Sequence, residues 1–376
     1  MKLSRKLLLL SVMVVLLVGL MIVPSLAAST PSITIDGTQI SIGTGNGTPF
    51  IDSANRTQVP IRLVSEKLGA TVVWNAASQT ATIDGAIKIK LGSTTVTTAY
   101  GTTVMDTQAV AKYNRIYVPL KYVANALGYK VEAATKNGVL TANVITKADL
   151  TISAAASLKD AMTEIQTLYK EEKPNTTLTV NLGASGTLQQ QIEQGAEVDV
   201  FFSAASKQMN ALKDGGLMID SSIKNILKNK IVLVVPNDST LAMDSFKDVT
   251  NAAIKTIAIG EPTVVPVGQY AQQVFTYLNI WDAVSAKAVF GQDVKQVLSW
   301  VETGNADAGV VYSTDAKTST KIKVICTASE ESHTPIVYPV GVVKATKNDV
   351  AAQDFVNFLS SAKAQAVFEK YGFSIY

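Results

Sequence analysis

The chain is poor in the groups that do covalent chemistry. It has one histidine, His333, and one cysteine, Cys326. A serine or cysteine nucleophile needs a base beside it, and transition-metal sites draw on clusters of His and Cys. His333 lies in the polar run Glu330-Glu-Ser-His-Thr-Pro335 and reads as a solvated loop residue. Cys326 cannot form an internal disulfide and reads as a buried structural thiol. What the chain offers instead are hydroxyls at junctions between strands and helices. In Ala154-Ala-Ala-Ser157-Leu-Lys-Asp160, the strand-like Leu150-Thr-Ile-Ser runs into Leu158, Ala161, Met162, Ile165 and Leu168 at helical spacing. A hydroxyl there sits beside the free N–H groups and positive end of a helix, which suits an anion. Ser157 with Asp160 also fits a capping box, and both readings stand on the residues alone.

Similar junctions recur. Leu182-Gly-Ala-Ser185-Gly-Thr187 opens the helix of Leu188 and Ile192, with Thr187 and Gln190 as an alternative cap pair. Val265-Pro266-Val-Gly-Gln-Tyr270 and Gln292-Asp293-Val294 open two more helices, and Gly309-Val-Val-Tyr312 ends a strand on a phenol. Any α/β protein has such turns, so they carry weight only if they converge, which spacing alone does not show.

The elements around them alternate. Strand-like runs at Leu150–Ser153, Leu178–Asn181, Val198–Ser203, Ile231–Val235, Thr256–Ile259, Gly309–Tyr312, Lys323–Cys326 and Pro339–Val343 are separated by amphipathic helices. That pattern predicts a parallel α/β architecture from residue 150 to 376. Ahead of it, an internal repeat organises residues 33–146. Arg56-Thr-Gln-Val-Pro-Ile-Arg-Leu-Val-Ser-Glu-Lys-Leu-Gly69 returns 59 positions later as Arg115-Ile-Tyr-Val-Pro-Leu-Lys-Tyr-Val-Ala-Asn-Ala-Leu-Gly128. Pro60 and Pro119 suit a first helical position, and Gly69 and Gly128 suit the left-handed residue after the last turn. Each copy predicts a helix of about nine residues burying Leu63, Val64 and Leu68, or Tyr122, Val123 and Leu127. Alternating strands surround each copy, with an Asn137-Gly138 hairpin turn, so the region reads as a small α+β domain of two β-rich halves.

The 376 residues, 47% hydrophobic and 17% charged, suffice for two or three cored domains. Lys2, Arg5 and Lys6 account for the whole formal charge of +3, which argues against a nucleic-acid surface. Residues 1–27 read as a secretory signal peptide ending at Ser25-Leu-Ala27, with an uncleaved anchor as the alternative. The expected address is extracytoplasmic: periplasmic or cell-surface associated.

The repeat core Val-Pro-Leu/Ile-Arg/Lys resembles the copper amine oxidase N-terminal-like domain. With one histidine in the chain, copper and amine oxidation are rejected, and the resemblance implies a stalk or surface module. Ala154-Ala-Ala-Ser-Leu158, Gly183-Ala-Ser-Gly-Thr-Leu188, Asp199-Val-Phe-Phe-Ser-Ala204, Gly260-Glu-Pro262 with Pro266-Val-Gly-Gln-Tyr-Ala271, Gly309-Val-Val-Tyr312 and Tyr371-Gly-Phe373 resemble the periplasmic molybdate-binding proteins of ABC transporters. The resemblance spans 150–376. It implies a two-lobed type II periplasmic-binding-protein fold, no catalysis, no cofactor, and molybdate or tungstate as ligand. The partner implied is an ABC transporter permease, and cell wall is a further candidate partner of the N-terminal module. It carries the oxyanion contacts onto Ser157, Ser185, the backbone N–H groups of Val267 and Val294, and Tyr312. Val267 is bulkier than the Ala of some members. The lobes are expected at about 150–232 with 338–376, and at about 236–330. Hinges are expected near Pro236 and Pro335–Pro339. A sulfate receptor and a surface attachment protein without transport are the rival readings.

Overall fold

A computed structural model describes residues 30–376 except 43, 44, 46 and 137. The signal peptide expected over 1–27, and Asn137 of the hairpin turn, lie outside the described residues.

In the N-terminal module the two repeat copies meet each other directly. Thr57–Pro60 and Arg115–Pro119 pair antiparallel, with Val59 opposite Val118. Each strand feeds a helix, Ile61–Lys67 or Leu120–Ala126. The helices are seven residues long, shorter than expected. Pro60 and Pro119 are extended N-cap residues that end the strands, not first helical residues. Their missing N–H costs neither element a bond. Gly69 and Gly128 hold φ of +86° and +81°, the left-handed turn that stops each helix. Val64 and Val123 are fully buried with Val59, Val118, Ile83 and Ile89, whereas Leu63 stays half-buried beside a surface groove.

After the module, the strands are β1 (Ala148–Ala155), β2 (Thr176–Gly183), β3 (Val200–Phe202), β4 (Lys224–Lys228), β5 (Ile231–Pro236), β6 (Ile257–Gly260), β7 (Ala288–Gly291), β8 (Ala308–Tyr312), β9 (Ile322–Thr327), β10 (Val337–Val342) and β11 (Ser374–Ile375). They form a six-stranded sheet in the order β2-β1-β3-β10-β4-β11 and a five-stranded sheet in the order β7-β6-β8-β5-β9. Both are mixed. β1 runs parallel to β2 and β3, and β6 runs parallel to β7 and β8. β10 and β5 return antiparallel, so the parallel expectation holds only for part of each sheet.

Each sheet floors one lobe, and the chain crosses between lobes twice. The first crossing is Asn229–Lys230, between β4 and β5, and the second is 328–336, between β9 and β10. This corrects the expected first boundary near Pro236. All of β5 lies in lobe two, because Ile231–Val234 register against Tyr312–Gly309. The module rests on lobe one. Lys173 Nζ donates to the Leu127 carbonyl at 2.7 Å, and Lys130 Nζ donates to the Lys347 carbonyl at 3.3 Å.

Candidate functional site

All the junctions of interest lie at carboxyl ends of parallel strands, where open α/β sheets bind ligands. β1 ends at Ala155 and leads through Ala156–Leu158 into helix α1 (Lys159–Glu172). β2 ends at Gly183 and leads into α2 (Ser185–Glu193). On the other lobe, β6 leads to α3 (Pro266–Tyr277) and β7 leads to α4 (Val294–Glu302). β8 ends on Tyr312 itself.

These ends converge. One small cavity between the lobes, with about 10 Å³ open to a water-sized sphere, is lined by Ser157, Ser185, Val267, Val294, Tyr312 and Asp293, among others. That is far below the roughly 300–1,000 Å³ of pockets for larger organic ligands and near the room that one water needs, so it suits a small ligand. Among the described residues at this cavity, each lobe contributes hydrogen-bond donors. Val267 is the second residue of α3 and Val294 the first of α4. Their N–H groups belong to the first turn, which has no acceptor within its own helix.

The hydroxyls are set up to donate. Ser185 is fully buried and its Oγ accepts the Ala204 N–H at 3.0 Å, so its own hydrogen is free for the cavity. Tyr312 is also buried, and its Oη has no hydrogen-bond partner among the described residues. Burial pushes the Tyr312 phenol well above its ordinary pKa, so it stays protonated and remains a donor. Ser157 Oγ lies 3.0 Å from Tyr338 Oη.

The capping alternatives fail in the geometry. Ser157 lies within a 3-10 turn and caps neither that turn nor α1. Thr187 lies inside α2, whose N-cap is Ala184. Asp160 instead meets Lys295 of α4 at 3.0 Å, across the cleft. Asp293 is a true N-cap, accepting the Gln296 N–H at 2.9 Å. Its carboxylate is thereby engaged by its own helix.

Sequence reasoning missed the residues behind the site. Tyr338 packs edge-on to Tyr312 and to Phe373, with centroids 5.8 and 5.4 Å apart. Asn229 Nδ2 donates to Tyr338 Oη at 3.1 Å. Lys295 lies 3.0 Å from the fully buried Asp315 as well as from Asp160. Asn229 stands at the first lobe crossing and Tyr338 on β10 just after the second, far apart in sequence, and no periodicity marks them. The lobes also touch through the backbone: the Gly186 N–H donates to the Val264 carbonyl at 2.9 Å. Cys326 and His333 stay out of the site. Cys326 is only half-buried on β9, and burial lifts its thiol to about 11. His333 lies edge-on to Tyr270 with its ring centroid 5.9 Å away.

Comparison with known proteins adds the following. Residues 150–374 match the model of the bacterial extracellular solute-binding proteins, and residues 34–142 match that of the copper amine oxidase N-terminal domain. A Bacillus subtilis (strain 168) protein named as an ABC transporter substrate-binding lipoprotein, YvgL, is 47% identical over 61% of this chain and 87% of its own. The molybdate-binding protein ModA of Haemophilus influenzae is 37% identical over 60% of this chain and 90% of its own. The solved periplasmic molybdate-binding protein of Azotobacter vinelandii covers 60% of this chain and 99% of its own. It shares 23% identity at a TM-score of 0.55, which supports the two-lobed fold.

Proposed function

This chain belongs to the bacterial extracellular solute-binding proteins, and from that premise we propose that its cleft captures molybdate, and tungstate with it, for delivery to an ABC transporter permease. It is a transport receptor and not an enzyme. The observation that carries the ligand is the convergence of Ser157, Ser185, Val267, Val294 and Tyr312, all neutral donors, on one small cavity. A tetrahedral dianion without a proton needs donors alone, and oriented N–H and O–H dipoles spread its charge without a salt bridge to break on release. The relatives named as molybdate-binding support the choice of anion.

The residues assigned to the anion are Ser157 and Ser185 through their hydroxyls, Val267 and Val294 through their amides, and Tyr312 through its phenol. Residues 33–146 are assigned the role of a spacer or surface module ahead of the receptor domain at 150–376. Calorimetric titration of the 28–376 fragment with molybdate, tungstate, sulfate and phosphate tests the reading. Tight binding of the first two, with sulfate weak or silent, is the expected result. Preference for sulfate would make this a sulfate receptor, and silence from all four would leave an attachment protein.

A further inference from the structure

We propose that Asn229 and Tyr338 are positioning residues that fix which way the Ser157 hydroxyl points, and so set the site to accept only fully deprotonated oxyanions. The proposal rests on the molybdate reading above and adds the origin of its selectivity.

A chain of hydrogen bonds begins at the backbone. The Lys230 N–H donates to Asn229 Oδ1 at 2.8 Å, and Ser313 Oγ donates to the same oxygen at 3.0 Å. A backbone amide only donates, so this contact fixes which end of the Asn229 side chain is oxygen. Its Nδ2 must then face Thr314 Oγ1 at 2.9 Å and Tyr338 Oη at 3.1 Å, donating to both. Tyr338 Oη therefore accepts from Asn229, and the relay assigns its single proton to Ser157 Oγ, 3.0 Å away, a contact whose geometry admits either oxygen as donor. Ser157 Oγ accepts there and turns its own proton toward the cavity that it lines.

The consequence is chemical. With Ser157 held as a donor, the hydroxyls and first-turn amides all donate. Molybdate, tungstate and sulfate can satisfy such a set, because each only accepts. Hydrogenphosphate carries a proton that would meet another proton. The Asp293 carboxylate is the acidic group on the cavity wall, and it is engaged by the Gln296 N–H.

The relay predicts its own reversal. In Asn229→Asp the carboxylate cannot donate to Tyr338. The phenol would donate to it, Ser157 would donate to the phenol, and the serine would present a lone pair to the anion. The added negative charge disfavours molybdate and hydrogenphosphate alike, since both are dianions near pH 8. The reversed hydroxyl disfavours only the anion without a proton.

The experiment is calorimetric titration of the full chain and two variants, Asn229→Asp and Tyr338→Phe, with molybdate and with inorganic phosphate at pH 8. Thermal unfolding is run alongside. In Asn229→Asp the ratio of molybdate to phosphate affinity should fall at least tenfold, beyond any common loss. In Tyr338→Phe molybdate affinity should fall about tenfold, and the loss should vanish when Ser157→Ala is already present. An unchanged ratio in Asn229→Asp, or a Tyr338→Phe loss that adds fully to that of Ser157→Ala, overturns the relay. Absence of molybdate binding by the unaltered chain overturns the molybdate reading instead.

Discussion

Tyr312 completes the proposed donor set from the lobe-two side, and its buried Oη has no hydrogen-bond partner among the described residues. Tyr312→Phe keeps the ring and removes only that donor. A hydrogen bond to a charged group contributes about 1.5–3 kcal/mol, so molybdate affinity should fall about 10- to 100-fold in calorimetry. Because burial raises the phenol above its ordinary pKa, it donates throughout the neutral and mildly alkaline range. The anion has no proton to lose there either, so affinity should be flat between pH 7 and about 9. A fall across that window would show that a titrating group holds the ligand. At this scale, the candidate hydroxyls were legible in the sequence because Ser157 and Ser185 each follow an alanine where a strand-like run gives way to a helix, and Tyr312 ends the apolar run Gly309-Val-Val. Their convergence was not, since Ser157 and Tyr312 come from different lobes and meet only through the fold. The Ser157 capping reading failed for a related reason: local spacing cannot see Lys295, which takes Asp160 from across the cleft.

Two elements decide whether the cleft can close. α2 begins so near lobe two that a side chain on Gly186 would place its Cβ 2.4 Å from the Val264 carbonyl oxygen. Gly186→Ala should therefore leave lobe one folded, with an unchanged melting temperature without ligand, and weaken molybdate binding at least tenfold. Helix α4 carries Lys295, 3.0 Å from buried Asp315. Burial raises the Asp315 carboxyl, and the Lys295 ammonium pulls it back down. Lys295→Met removes that pull and leaves an uncompensated buried acid, a loss of about 3–5 kcal/mol near neutral pH. A carboxyl raised on folding favours the fold most below its unfolded pKa, and that advantage disappears as pH rises through its folded value. The melting temperature of the variant should thus fall further below that of the parent at pH 8 than at pH 5, and an equal deficit at both would count against it. The main strands and helices of the lobes were legible as alternating apolar runs. β4, β7 and the two-residue β11 were not: β4 is a bulged Lys-Asn-Ile-Leu-Lys, and β7 is an edge strand with Val289 and Phe290 more than a third exposed. Neither shows the apolar run of a strand buried on both faces.

At the scale of the molecule, the two crossings permit rigid-body closure, and the interlobe contacts of Gly186 and Lys295 describe a closed form. Small-angle scattering should show the radius of gyration falling on addition of molybdate to ligand-free protein, and no change would mean that the lobes do not open. The two-part plan of the chain was legible from the repeat and the alternation, whereas the first crossing was misplaced. Pro236 looks like a break in sequence, yet the β5 ladder continues to it, with Pro236 opposite Ile322. The seating of the N-terminal module has a mechanical corollary. Lys173 joins Leu127 to Asp354, and Lys130 reaches Lys347, so the module is fastened to one jaw of the clamp. Whatever surface grips the module holds that jaw still, and the other jaw does the travelling. Spin labels should record a constant distance from module to lobe one and a shortening one to lobe two as the anion is taken up.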